Sequence, residues 1–412
     1  MKPCHSSVFL AIFTISALIQ VGTTRDLRNV AEPKTPETCT SLKATGGDDT
    51  AAIQKALDSC AKGKAVALSS GVFYSGPLTI PSGVSLLVDS GVTLKAIPYP
   101  KLYDVGKNTC GTVDNFGTGC KPFISISEGK SSGIYGTGTI DGQGGETMIG
   151  NSINWWGLWN IAKPLGIYQN CPRLIDINNS EDITVYQVTL INSPAYHLMG
   201  NRTNGLTAWG VIVNTPHATW NTDGIVANGC QNVTIAYCYV VTETDNIAIW
   251  SRDASSKHIS VYNNSLIGGR SLSISSANIY EVSDVTFSSM TLKNLFYGIR
   301  IFGDKAKGGL VSNINYDNIC IINVINPINL DANYYNVAGN RTPQFRDINF
   351  NNVRVKTGGT FILNGDSDSY PIQVNMNDVH VPKSSLWSMN HANVIGAWAD
   401  DDNNMQCGDY GN

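Results

Sequence analysis

The phrase DITVYQVTLIN, residues 182–192, decides the fold, because a similar phrase returns along much of the chain. Apolar residues alternate with polar ones within it, as in a half-buried strand. The later copies are GLTAWGVIVNT from Gly205, NVTIAYCYVVT from Asn232, HISVYNNSLIG from His258, DVTFSSMTLKN from Asp284, NINYDNICIIN from Asn313 and DINFNNVRVKT from Asp347. Their first apolar residues follow one another at intervals of 23 to 34 residues. Such a period indicates a solenoid in which each repeat forms one coil.

The repeat predicts an all-β protein, a right-handed parallel β-helix. A β-sandwich would alternate strands every 8–12 residues without a longer period, and the Leu-x-x-Leu-x-Leu phrase of leucine-rich repeats is missing. The open N-terminal end of such a solenoid needs a cap, and the helical pattern DDTAAIQKALDSC within residues 48–60 predicts a short capping helix there. No linker or change of composition divides the chain, so residues 24–412 are expected to form a single domain.

The beginning of the chain predicts secretion. Lys2 precedes a 14-residue apolar run, residues 8–21, and small residues follow it. A membrane span needs about 20 residues, so residues 1–23 are interpreted as a signal peptide, with an N-terminal anchor as the alternative. No later stretch approaches that length, and the net charge of −4 comes without a concentrated basic segment. We therefore expect an extracellular monomer that binds neither membrane nor nucleic acid.

The cysteines suit an oxidising compartment. The chain has 10 cysteines, of which Cys4 leaves with the signal peptide. Cys39 and Cys60 bracket the capping helix and Cys110 and Cys120 bracket a Gly-rich loop, so both pairs are predicted to be disulfides. The pairing of the other five, Cys171, Cys230, Cys238, Cys320 and Cys407, cannot be deduced from the sequence. N-glycosylation sequons begin at Asn178, Asn201, Asn232, Asn263 and Asn340.

Four charged residues recur at about one repeat. Asp223 and Asp245 are 22 residues apart, Arg270 follows 25 residues later, and Arg300 follows after 30 more. A solenoid turns such spacing into lateral adjacency, about 5 Å per coil, so these side chains are expected to line one strip of surface. Carboxylates beside guanidinium groups suit chemistry on an acidic sugar. No metal-ligand spacing and no phosphate loop is present, so no cofactor is expected.

At these residues the chain resembles a known family. The supporting phrases are GTGTIDGQG from Gly136, TDGI from Thr222, HISVYNN from His258, GIRI from Gly298 and NPINLDANYY from Asn326. Together they are similar to the polygalacturonases of glycoside hydrolase family 28, most closely the bacterial branch. The resemblance implies inverting hydrolysis of α-1,4-linked galacturonan, with pectic polysaccharide as ligand and plant pectinase-inhibitor proteins as further candidate partners.

The resemblance also assigns the carboxylates. Asp223 falls on a water-activating carboxylate of the family. The next motif normally has two adjacent aspartates, of which the first is the general acid and the second helps to activate water. The sequence places the first at Asp245 and a replaced second one at Asn246.

The remaining motifs are matched only in part. Arg270 stands where the family has a His, and Arg300 keeps the first cation of an Arg-Ile-Lys motif that holds the galacturonate carboxylate. Phe302 stands at the Lys of that motif, and Tyr334 falls on a substrate-contacting Tyr.

These changes predict impaired catalysis. An inverting glycosidase needs an acid and a base about 6.5–9.5 Å apart, and neighbouring carboxylates raise the pKa of the acid. Asn246 removes one such charge, Arg270 adds a cation that would lower the pKa of Asp245, and Phe302 deletes a cation. We therefore expect no useful cleavage of polygalacturonate.

Two other functions remain open. One is an active hydrolase of methylated or branched galacturonan, since the Phe302 ring suits an esterified uronate. The other is a lyase-like β-helix, which would need a calcium-binding acidic cluster that the sequence lacks.

Overall fold

The computed structural model describes residues 26–216, 219–274, 279–334, 337–400 and 407. The predicted signal peptide, residues 1–23, lies outside the described residues. No described helix is long and apolar enough to cross a membrane.

Short strands dominate the secondary structure. The helices are α1 (Thr50–Ser59), α2 (Pro100–Tyr103) and α3 (Gly157–Leu165). The first strands are β1 (Thr38–Lys43), β2 (Ala65–Ser70), β3 (Val72–Ser75), β4 (Leu78–Thr79), β5 (Ser85–Val88), β6 (Thr93–Ala96), β7 (Val113–Asp114), β8 (Ile124–Ser127), β9 (Gly133–Tyr135), β10 (Thr139–Asp141) and β11 (Tyr168–Gln169). The middle strands are β12 (Ile175–Asn178), β13 (Glu181–Tyr186), β14 (Thr189–Ile191), β15 (Leu198–Asn201), β16 (Asn204–Trp209), β17 (Ile212–Asn214), β18 (Ile225–Asn228), β19 (Gln231–Ala236), β20 (Tyr239–Val241), β21 (Ile247–Trp250) and β22 (Ser256–Tyr262). The last strands are β23 (Ser265–Ile267), β24 (Leu272–Ile274), β25 (Val282–Lys293), β26 (Tyr297–Phe302), β27 (Leu310–Ile322), β28 (Asn326–Asp331), β29 (Gln344–Val355), β30 (Thr360–Asn364), β31 (Ile372–Val381), β32 (Leu386–Asn390) and β33 (Ala392–Asp400).

Successive coils pair in parallel, which confirms the predicted right-handed parallel β-helix. One strand of each coil joins an 11-stranded sheet that runs from β4 through β8, β12, β15, β18, β21, β24, β26, β28 and β30 to β32, and this is called the groove sheet below. The other strands form a 20-stranded sheet, called the back sheet, apart from the short pair β7 and β11. From β25 onward one long strand spans two faces of the coil, because β25 pairs with both β22 and β23.

The repeated phrases place their apolar residues inside the solenoid. Their first apolar residues form one column with almost no solvent exposure, Ile183, Leu206, Val233, Ile259, Val285, Ile314, Ile348 and Val374. Each member pairs with the equivalent residue of the next coil, as Ile183 does with Leu206. The period of the sequence is therefore the period of the core.

The backbone conformation of the residue just before each member of this column explains why several phrases have Asn or Asp there. Asp182, Asn232, Asp284 and Asp347 have φ between 52° and 56°. Asn and Asp tolerate this left-handed conformation better than other side chains, because their short polar groups bond locally. The phrase thus encodes the bend of the coil as well as its strand.

The N-terminal cap and both predicted disulfides are confirmed. Helix α1 buries Ile53, Ala56 and Leu57 against the first coil. Cys39–Cys60 and Cys110–Cys120 are bonded. A third disulfide joins Cys407 to Cys320 on β27. Among the described residues, the three cysteines without a disulfide are Cys171, Cys230 and Cys238.

One aromatic stack in the core carries a stability cost. The Tyr316 ring lies between Phe287 and Phe350, with ring centroids 4.9 and 5.2 Å away. Its hydroxyl is buried and finds no hydrogen-bond partner within the described part of the chain. A buried polar group left without a partner costs about 1–3 kcal/mol.

Tyr316→Phe should therefore stabilise the protein by about 1 kcal/mol, because it removes the unpartnered hydroxyl and keeps the stacked ring. Tyr316→Leu is the control that loses the stack, and it should destabilise. Urea unfolding of the three proteins at one pH measures both differences. A lower unfolding midpoint for Tyr316→Phe would contradict this account.

Candidate functional site

The groove sheet brings one outward-facing residue of each coil into a row. Met199, Val226, Ala248, Ser273 and Arg300 pair in this order on β15, β18, β21, β24 and β26. The loops that precede these strands are also bonded to each other. The Gly224 amide donates to the Asp245 carbonyl, and the Tyr297 amide donates to the Arg270 carbonyl. The structure therefore brings the four predicted charged positions onto four adjacent coils.

Asp223 is a buried carboxyl beside a second one. Its side chain accepts a hydrogen bond from the Thr244 hydroxyl and is only 6% exposed. Burial and the nearby Asp245 charge raise the pKa of Asp223 to about 7, against opposition from the Thr244 hydrogen bond and the Arg252 charge. This carboxyl can therefore hold a proton near neutral pH.

Asp245 is fixed by the next coil. It accepts hydrogen bonds from the hydroxyls of Ser271, at 2.6 Å, and Ser273, at 2.9 Å. Two donors on one coil set the orientation of its carboxylate beside Asp223.

The structure does not place the Asn246 side chain with this pair. Asn246 has no solvent exposure, and its amide donates to the carbonyls of Val240, at 3.0 Å, and Gly268, at 3.1 Å. It ties its loop to its own coil and to the next one. The neighbour that reaches Asp223 is Thr244, on the other side of Asp245 in the chain.

Arg270 lies over an aromatic ring and forms no ion pair with another described residue. Its guanidinium is 5.1 Å from the Trp220 ring centroid, and Trp220 stacks on Trp159 at 5.6 Å. The Lys163 ammonium is 5.1 Å from the same Trp220 ring. Arg270 therefore extends from its own coil to the loop that carries Asp223, two coils away.

Arg300 is enclosed by aromatic rings. Its guanidinium lies 4.2 Å from the Tyr297 ring centroid, 3.7 Å from that of Phe302 and 4.4 Å from that of Tyr334. The side chain is 2% exposed, and its Nε and Nη2 have no hydrogen-bond partner among the described residues. A buried cation with unused donors is costly unless an anion completes it. This position therefore suits a carboxylate ligand.

Two further residues, His197 and Arg252, support this site. His197 lies behind Asp223, and its ring contacts the Asp223 carbonyl and the Thr215 hydroxyl. Burial lowers the pKa of His197 to about 4, so the ring is neutral and structural. The Arg252 guanidinium covers the Trp250 ring at 3.8 Å. Neither His197 nor Arg252 belongs to a repeated phrase, so no pattern marked them.

The arrangement can bind an acidic sugar and transfer protons, but it offers no metal centre. Within the described ranges, no group of three or more His, Cys, Asp or Glu residues is placed to hold a metal ion.

The chain is similar to known pectin-degrading proteins over most of its length. Residues 62–398 match the profile of the glycosyl hydrolases family 28. An endo-polygalacturonase of Pectobacterium parmentieri is 42% identical over 374 residues, which are 90% of this chain and 93% of that protein. A polygalacturonase of Ralstonia solanacearum is 32% identical and covers 82% of this chain and 73% of its own.

Two solved structures of polygalacturonases share the fold of this chain. The polygalacturonase from Erwinia carotovora ssp. carotovora superposes with a TM-score of 0.84 at 41% identity, covering 90% of this chain and all of that one. An exopolygalacturonase from Thermotoga maritima shares the fold at 19% identity, with a TM-score of 0.72 over 90% of this chain and 95% of that one.

The raised pKa of Asp223 predicts a pH-dependent stability. The native carboxyl keeps its proton up to about pH 7, whereas an unfolded one releases it near its ordinary value of 3.8. The native state thus binds more protons in this window, so the free energy of unfolding should fall as pH rises from 4 to 7. Asp223→Asn should remove about 2–4 kcal/mol of this fall.

Urea unfolding between pH 4 and 7.5 measures the slope, with the exposed Asp58→Asn as the matched control. Equal slopes in the wild type and Asp223→Asn would overturn the assignment.

Proposed function

Because the chain belongs to glycosyl hydrolase family 28, we propose that it binds pectic galacturonan in its groove but hydrolyses unmethylated polygalacturonate weakly or not at all. The observation that carries the proposal is the hydrogen bond that the Thr244 hydroxyl donates to the Asp223 carboxyl group. The two adjacent residues whose side chains lie beside Asp223 are Thr244 and Asp245. The Asn246 side chain instead donates to backbone carbonyls of the coils. The pair of aspartates expected from the family thus corresponds to Thr244 and Asp245.

This alignment of the aspartate pair identifies which catalytic group is missing. The first aspartate of the family pair is the general acid, and a threonine hydroxyl is not among the groups that deliver a proton near neutral pH. Asp223 and Asp245 remain as the water-activating carboxylates. The raised pKa of Asp223 leaves it able to donate a proton from the wrong position, so we expect at most residual activity.

Binding is retained through Arg300. Its unused Nε and Nη2 donors favour a free uronate carboxylate over a methyl ester, since an ester oxygen carries no charge to compensate the guanidinium. The Phe302 ring packs on the guanidinium face, and since Phe302 is 7% exposed and Arg300 is 2% exposed, a ligand must displace the covering rings to reach either group. These contacts favour unmethylated galacturonan over the esterified polymer.

The location follows the same proposal. Residues 1–23 would direct secretion, and three disulfides suit an oxidising exterior. The monomeric state and recognition by plant pectinase inhibitors stay predictions.

Restoring the missing groups should restore cleavage. Thr244→Asp returns the acid, Arg270→His removes a fixed cation and Phe302→Lys returns a uronate-binding cation. Because such groups act as a unit, each single variant should gain little and the triple variant should gain at least about 100-fold in reducing ends released from polygalacturonate.

Asn246→Asp is the matched control. It places a carboxylate against two backbone carbonyls, so it should lose stability and gain no activity. Robust cleavage of unmethylated polygalacturonate by the wild type, abolished in Asp245→Asn, would overturn the proposal.

Ligand binding tests Arg300 separately from catalysis. Arg300→Ala should weaken binding of an unmethylated oligogalacturonate by about 10- to 100-fold, because a charged hydrogen-bonding partner contributes about 1.5–3 kcal/mol. Titration calorimetry with unmethylated and fully methylated oligomers makes the comparison. Equal losses of affinity for both oligomers would show that Arg300 does not bind the uronate carboxylate.

A further inference from the structure

The first described residues form a strap across the outside of the back sheet. The Asp26 amide donates to the Ser260 hydroxyl of β22, and Asp26 accepts from Thr234 of β19, both at 2.9 Å. Further along, the Tyr186 hydroxyl on β13 donates to Glu32 at 2.7 Å. The strap therefore runs from later coils to earlier ones, against the direction in which the solenoid grows.

A groove of about 480 Å³ opens between this strap and the back sheet. Its floor comes from β19, β22, β25 and β27, and it includes Tyr262, Ser288, Asp317 and Asn318. The volume lies in the range of small-ligand sites, about 300–1,000 Å³, and is enough for one or two sugar rings. These residues lie on a different sheet from the Asp223 and Arg300 groups.

One lining residue of the groove, Tyr262, belongs to a cluster of aromatic rings that continues beyond the lining. Tyr262 stands edge-on to Trp209, at 6.1 Å between ring centroids, and to Tyr237, at 5.9 Å. The Trp209 and Tyr237 rings are 4.8 Å apart, and Tyr237 is 50% exposed. A ring face beside hydroxyl, amide and carboxylate groups matches a sugar, which has an apolar C–H face and hydroxyls at its edge.

The charges of the groove select against an acidic sugar. Arg28 is the cation among the described lining residues, and it is bound to Asp26 at 2.7 Å and faces Asp182 at 3.6 Å. Asp317 adds a second carboxyl to the lining and accepts a hydrogen bond from Asn351 at 2.6 Å. A uronate would meet carboxylates without a free cation to pair with, whereas a neutral sugar can donate its hydroxyls to them.

We propose that this groove is a second carbohydrate site, which binds a short neutral saccharide through Tyr262, Asp317 and Asn318. The inference does not depend on the proposed function of the groove sheet. The back sheet would thus bind a neutral sugar, whereas Arg300 on the groove sheet would bind an acidic one.

Binding of neutral disaccharides to the full chain tests the proposal. Galactobiose, arabinobiose and cellobiose are titrated by calorimetry, with digalacturonate as the acidic comparison. At least one neutral disaccharide should bind saturably. Tyr262→Ser should weaken that binding by about tenfold or more, Tyr262→Phe should retain it, and the exposed Tyr239→Ser on β20 is the matched control that should not change it.

Arg300→Ala separates the two sites. It should leave neutral-sugar binding unchanged while it reduces digalacturonate binding, so failure at one site is distinguishable from failure at the other. No saturable binding of any neutral disaccharide, loss of that binding in Arg300→Ala, or retention of it in Tyr262→Ser would each overturn the proposal.

Discussion

Backbone pairing between successive coils is the interaction on which every other feature depends. Strands that pair in parallel lie about 4.8 Å apart, so residues one repeat apart in sequence become direct neighbours. The column from Ile183 to Val374 is part of the core that results, and α1 closes that core at the N-terminal end. Each coil is stable only because its neighbours bury its apolar face, which is the general condition for solenoids.

The same stacking creates the electrostatics of the groove sheet. It holds Asp223 and Asp245 on adjacent coils, in a wall where little water reaches either carboxyl. Burial, and after it the nearby charge of Asp245, then raise the pKa of Asp223, and the Arg252 charge does not reverse the effect. Arg300 shows the complementary case, since aromatic rings cover its faces while two of its donor nitrogens remain unused. In the function proposed above, ligand binding and proton transfer rest on different parts of one sheet, so that one can be lost while the other remains.

A solenoid also offers more than one face. The groove sheet holds the buried Arg300, whose Nε and Nη2 have no hydrogen-bond partner among the described residues, whereas the strap holds Arg28 in ion pairs on the back sheet. Because both faces grow from the same coils, a change of a few outward side chains alters one face without disturbing the core or the other face. This separation explains how a family scaffold keeps its shape when catalytic positions change.

The sequence by itself determined the repeat, the inward columns, the capping helix and the Cys39–Cys60 and Cys110–Cys120 bonds, because each is a local pattern or a periodic one. It also brought Asp223, Asp245, Arg270 and Arg300 onto adjacent coils. Only the tertiary structure decided which neighbour of Asp245 shares its cluster, because these residues lie in a loop, where the regular alternation of a strand does not set the direction of a side chain. Thr244 reaches Asp223 while Asn246 turns to backbone carbonyls. The Cys320–Cys407 bond and the rings around Arg300 likewise join residues that no sequence period relates.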